Sequence, residues 1–188
     1  MDRTRRALLL ATPAALGAIA LAPRAQAAAE SGAVINHRAN LAIAKLYAQS
    51  PKARELDKKA LGVLVFPEII KAGLIVGGQS GNGVLWVHGK TVGFYNLSSA
   101  SFGLQAGAQT FSYALFFMTQ SSLDYLRKSD GWSVGSGPSV VVMDKSAAAS
   151  MSSTTLTQDV YAFPFGGRGL MAGIGLDGSK ITQIHPGP

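Results

Sequence analysis

The sequence predicts an α+β fold: two N-terminal helices packed on a mainly antiparallel, curved or barrel-like β-sheet, with one further short helix. Three observations lead there. Apolar residues recur at helical spacing between Ser31 and Ala60. From Gly62 onward the chain breaks into short runs rich in Val, Ile, Leu and aromatics, punctuated by glycine. Finally, 22 of 188 residues are Gly and only 14% are charged, against about 7% and about 25% in average globular proteins. Such a composition suits strands whose backbones approach closely; it does not suit a helical bundle or coiled coil.

The first 27 residues have the three parts of an export signal. Arg3, Arg5 and Arg6 form a basic start, residues 7–22 are apolar, and Ala25-Gln26-Ala27 is a small-x-small cleavage site. The apolar stretch is interrupted by Thr12, Pro13 and Gly17 and falls short of the roughly 20 apolar residues of a spanning helix. Arg5-Arg6, with Arg24 before the cleavage site, resembles a twin-arginine signal. Residues 28–188 are then expected to form one domain, periplasmic or secreted after cleavage. Residues 1–27 hold four Arg and one Asp, so their loss reduces 17 basic and 10 acidic residues to 13 and 9, a net +4. That balance favours anionic surfaces but falls short of a nucleic-acid-binding signature.

In the mature chain Ile35, Ala39, Ala42 and Leu46 recur at i, i+4, i+7 and i+11, with Val34 and Leu41 beside them, and predict one amphipathic helix over residues 31–50. Ser50-Pro51 reads as an N-cap and first-turn pair. A second short helix follows, with Ala53, Leu56 and Ala60 as its apolar stripe and an end near Gly62. Lys52, Arg54, Lys58 and Lys59 occupy its other faces, either as a solvated surface partly neutralised by Glu55 and Asp57 or as a contact for anionic lipid. Beyond Gly62, residues 62–66, 72–78, 83–89, 91–97 and 101–109 read as strands. Ser80-Gly81-Asn82-Gly83 and His88-Gly89-Lys90 read as the turns of antiparallel hairpins. Residues 110–118 are too apolar for an edge strand, residues 121–129 suggest a short helix, and residues 139–143, 159–163, 169–176 and 180–184 are further strand-like runs. Gly103 with Gly107, and Gly173 with Gly175, fall at even spacing, so each pair would bare one face of its strand. Either another layer packs there, or an apolar ligand or acyl chain lies in the groove.

Catalytic signals are weak. There is no Cys, which removes thiol nucleophiles, disulfides and a lipoprotein-type anchor, and the three histidines at 37, 88 and 185 leave little for a metal site. No metal or cofactor is expected. Gly131-Trp132-Ser133-Val134-Gly135 matches the G-x-S-x-G pattern, but a helix precedes it and a strand follows, the reverse of a nucleophile elbow. Gly166-Gly167-Arg168-Gly169 is a basic turn with anion-binding character, and equally a plain turn. No phosphate-cradling glycine loop is present, and the aspartates are scattered at helix ends and turns.

The strings GVLVFPEIIKAGLIVGGQSGNGVLWV (62–87), SFGLQAGAQTFSYALFFMTQSSLDYL (101–126) and GLMAGIGLDG (169–178) resemble the SYLF domain family, in the family's order of blocks and over residues 36–184. The resemblance implies a lipid-binding module; its eukaryotic members bind phosphoinositides and its fungal relatives also bind actin. It places Lys71 and Arg168, with the basic helix residues, as headgroup contacts. The expected function is therefore an exported, non-catalytic protein of the bacterial cell envelope that binds anionic phospholipid or a membrane surface. The alternative is a structural module with an envelope protein partner and no lipid ligand.

Overall fold

The computed structural model describes residues 30–73, 76–102, 107–143, 157–167, 176 and 178–187. Helix α1 (Gly32–Gln49) starts at Ser31, whose hydroxyl accepts the Val34 N–H. The Ser50 side chain accepts the Ala53 N–H and opens α2 (Pro51–Asp57), which ends short of the boundary near Gly62. The strands are β1 (Gly62–Gly73), β2 (Val76–Val87), β3 (Lys90–Phe102) and β4 (Gly107–Phe117). Helix α3 (Gln120–Lys128) follows, then β5 (Trp132–Ser133), β6 (Val140–Val142), β7 (Val160–Phe165) and β8 (Lys180–Ile184). Together they form one curled eight-stranded sheet in the order β5-β8-β3-β2-β1-β4-β7-β6, antiparallel except for β6 beside β7. This is the expected α+β class. The inner order β4-β1-β2-β3 is that of a Greek key.

Both faces of the sheet are covered, which explains the unbroken apolar runs of the sequence. In β1, Val63 and Val65 face Ile35, Ala39, Ala42 and Leu46 of α1 and Ala53 and Leu56 of α2. Leu64 and Phe66 point the other way, into a cluster with Tyr95, Leu115, Phe117, Leu123 and Leu126 of α3, and Trp132. Strand β4 alternates likewise, Phe111, Tyr113, Leu115 and Phe117 on the α3 side and Ala114 and Phe116 on the α1 side. Burying one such side chain stabilises the fold by roughly 1.5–3 kcal/mol, so these two layers hold the sheet in its curl.

Three expectations need correction. Residues 80–83 are not a turn: they lie inside β2, paired with Ser98, Leu97, Asn96 and Tyr95 of β3. Their glycines serve close packing instead. Strand β1 is irregular between Val65 and Ile70, and a β-carbon on Gly83 would fall 2.6 Å from the Val65 carbonyl oxygen. The true hairpin turn is His88-Gly89, with φ of 51° and 73°. Residues 101–109 are not one strand either, because β3 ends at Phe102 and β4 begins at Gly107. Likewise residues 72–78 span the end of β1 and the start of β2. Gly103, Arg168, Gly173 and Gly175 lie outside the described residues, as does most of the expected strand at 169–176.

Candidate functional site

The basic residues singled out in the sequence do not form one cluster. Lys52 and Lys59 both reach Glu55, at 3.1 and 3.6 Å, and the Lys52 side chain is only 10% exposed. Arg54 donates to the Tyr47 carbonyl at 3.4 Å. Lys58 and Lys59 are exposed. Lys71 pairs with Gln79 and Gln109 in the sheet, nine residues along β1 from the end nearest α2. At about 3.3 Å per residue that is a path of up to roughly 30 Å along the strand. Gly107 pairs with Gly73 at the start of β4.

Helix α1 carries a second apolar stripe that the core periodicity overshadows. Val34 and Leu41 are 48% and 55% exposed; seven residues apart, they share one outward face. His37, Ala44, Lys45 and Ala48 are exposed beside them. The inward stripe was the stronger signal, and only burial separates Leu41 from its neighbour Ala42.

Two clefts flank α1. One, of about 440 Å³, opens between α1, the start of β1 and the β2–β3 hairpin, and its lining includes Asn36, Asn40, Tyr47, Asp57, Trp86 and His88. The Trp86 indole N–H donates to Asn36 Oδ1 at 2.9 Å, and the Asn40 amide donates to the Asn36 carbonyl at 2.8 Å. Burial first, and then a hydrogen bond to Asp57, push the Tyr47 phenol well above its ordinary pKa, so it is a neutral donor at physiological pH. None of these six residues was expected in the sequence as part of a binding site, because fifty positions separate Asn36 from Trp86. The other cleft, about 610 Å³, lies along Arg38, Glu68 and Asn96. There Arg38 bridges Glu30 at 2.8 Å and Glu68 at 2.9 Å, so its charge is already matched.

Ser133 is exposed on the two-residue β5, paired with Lys180 of β8, and a turn rather than a helix follows it. A nucleophile elbow requires that helix. Among the described residues, no three His, Asp or Glu side chains gather as metal ligands, and no helix is long and apolar enough to cross a membrane.

Comparison with known proteins gives one family. No curated protein matches the chain. Residues 98–185, from the second half of β3 through β8, match the model of the Ysc84 family, described as Las17-binding protein actin regulator. Over that stretch the chain is similar to the Ysc84, or SYLF, family, as the strings of its sequence indicate.

Proposed function

We propose that this chain is an exported, non-catalytic lipid-binding or peripheral membrane-binding protein of the cell envelope. The observation that carries the reading is the outward face of α1: two large aliphatic side chains two turns apart, left in water beside Lys45. Such a face suits the boundary between headgroups and acyl chains. The exposed Lys58 after α2 adds attraction to anionic lipid of about 1 kcal/mol near the surface, and Lys59, which also reaches Glu55, adds less. The export signal supports the envelope location, and the family match supports a binding role. Native mass spectrometry of the mature protein purified from envelopes tests the reading. Co-purified phospholipid is the expected result; a lipid-free protein that also ignores vesicles contradicts it.

A second reading draws on the family description, which names a protein partner for its members. In it, Val34 and Leu41 meet an envelope protein, and the chain binds no lipid. Leu41→Glu would then abolish capture of that partner while leaving vesicle binding absent in both forms.

A further inference from the structure

The 440 Å³ cleft between α1 and the β2–β3 hairpin is independent of the membrane reading. Its volume lies within the range of small-molecule sites. Asn36, Asn40 and Tyr47 reach it from one face of α1, Asp57 from the end of α2, and Trp86 and His88 from the hairpin. Among the described residues no Lys or Arg lines it, and His88 is the basic side chain at its rim.

Asp57 sets its electrostatic character. Glu30 and Glu55, the other acidic residues at the two helices, each hold a cation. Asp57 makes no ion pair among the described residues, and its neighbour Lys59 turns to Glu55 instead. It accepts a hydrogen bond from the neutral hydroxyl of Tyr47. A half-buried carboxylate without a countercharge disfavours phosphate or carboxylate ligands and attracts cations. The aromatic rings of Tyr47 and Trp86 favour the same ligand, since a ring face attracts an ammonium group through its quadrupole. Asn40, one of whose two amide N–H groups is taken by the helix, has a side-chain oxygen as a further acceptor.

We propose that this cleft binds a small organic ammonium ion, either a free amine or the cationic end of a zwitterionic headgroup. Negative charge, aromatic rings and amide oxygen converge there, and among the described residues no lysine or arginine lines it to compete.

The test follows the Trp86 indole N–H by NMR in the full mature protein. Choline chloride and glycerophosphocholine are titrated separately, with sodium chloride as the ionic-strength reference. Trp132, fully buried and bonded to the Ser136 carbonyl, supplies an internal signal that should stay still while the fold is intact. A saturable shift of Trp86 is expected with choline, with glycerophosphocholine, or with both. Choline alone identifies a free amine; a preference for glycerophosphocholine identifies a headgroup. Asp57→Asn keeps an acceptor for Tyr47 and removes the charge, so it should weaken binding by about tenfold or more. Tyr47→Phe keeps the ring and leaves Asp57 charged, so it should bind at least as tightly as the unaltered protein. No shift with either ligand, equal binding by Asp57→Asn, or loss of binding in a folded Tyr47→Phe would each overturn the proposal.

Discussion

A β-carbon on Gly81 would collide with the carbonyl oxygen of Glu68. The irregular stretch of β1 thus rests directly on bare backbone of β2, while Ser112 of β4 donates to the Pro67 carbonyl at 2.7 Å and Arg38 of α1 holds the Glu68 side chain. Gly81→Ala must push the two strands apart, and is expected to cost about 1–3 kcal/mol, read as a lower urea midpoint. Gly89 is different, with open space around it but φ of +73°. Gly89→Asn should therefore be nearly neutral, because Asn tolerates that conformation, while Gly81→Asn should be at least as harmful as Gly81→Ala.

The bond from Trp86 to Asn36 ties the hairpin to α1. Asn36→Ala leaves the partly buried indole N–H without its acceptor, at a cost of about 1–3 kcal/mol. Thr91, whose hydroxyl also reaches Asn36 Oδ1 at 3.4 Å, loses only a long, exposed contact. Thr91→Val should accordingly cost much less than Asn36→Ala in thermal unfolding.

Asp159 links α3, β6 and β7. Its carboxylate accepts the Ser139 N–H and hydroxyl, at 3.0 and 2.9 Å, and the Thr119 hydroxyl at 3.1 Å. These bonds, the Ser139 backbone first, hold its pKa below the ordinary carboxylate value. A depressed native pKa means the unfolded chain takes up the proton first as pH falls. The stabilisation is fully present above the unfolded value, near pH 4, and fades as pH drops through the lower native value. Melting temperature measured from pH 6 to pH 2 should fall less steeply for Asp159→Asn than for the unaltered chain.

Much of this architecture is legible in the sequence where the signal is local. Ile35, Ala39, Ala42 and Leu46 announce α1, Ser50-Pro51 marks the break between helices, and the apolar runs locate most strands. What failed was the reading of glycine. At 81 and 83 it answers a bulge contributed by β1, more than ten residues upstream, and no local pattern distinguishes that from a turn. The Asn36–Trp86 bond and the approach of Asp57 to Tyr47 depend on how helices lie over the sheet, so the cleft had no sequence signature. The basic residues were easy to see but not to place. Lys52 is largely buried against Glu55, and Lys71 sits at the far end of β1.

Export makes a separate prediction. N-terminal sequencing of the envelope form should begin at Ala28, after the Ala25-Gln26-Ala27 site. Replacing Arg5 and Arg6 by Lys should block export if the route is twin-arginine, since that route's receptor reads the arginines themselves. Export undiminished by the change would exclude that route and leave the cleavage site standing.

The central claim is that the mature chain meets membranes through its helices, and co-sedimentation with vesicles tests it most directly. Charge attraction is screened over about 8–10 Å at physiological salt and far less at high salt, whereas apolar burial is hardly affected by salt. The account predicts sedimentation with phosphatidylglycerol vesicles and little with phosphatidylcholine. Binding is expected to weaken but not vanish at about 0.5 M salt, because the charge attraction is screened while the burial of Val34 and Leu41 is not, and to fall further when Lys58 and Lys59 are replaced by Glu or Leu41 by Glu. Failure to sediment with any vesicle at low salt would contradict the account.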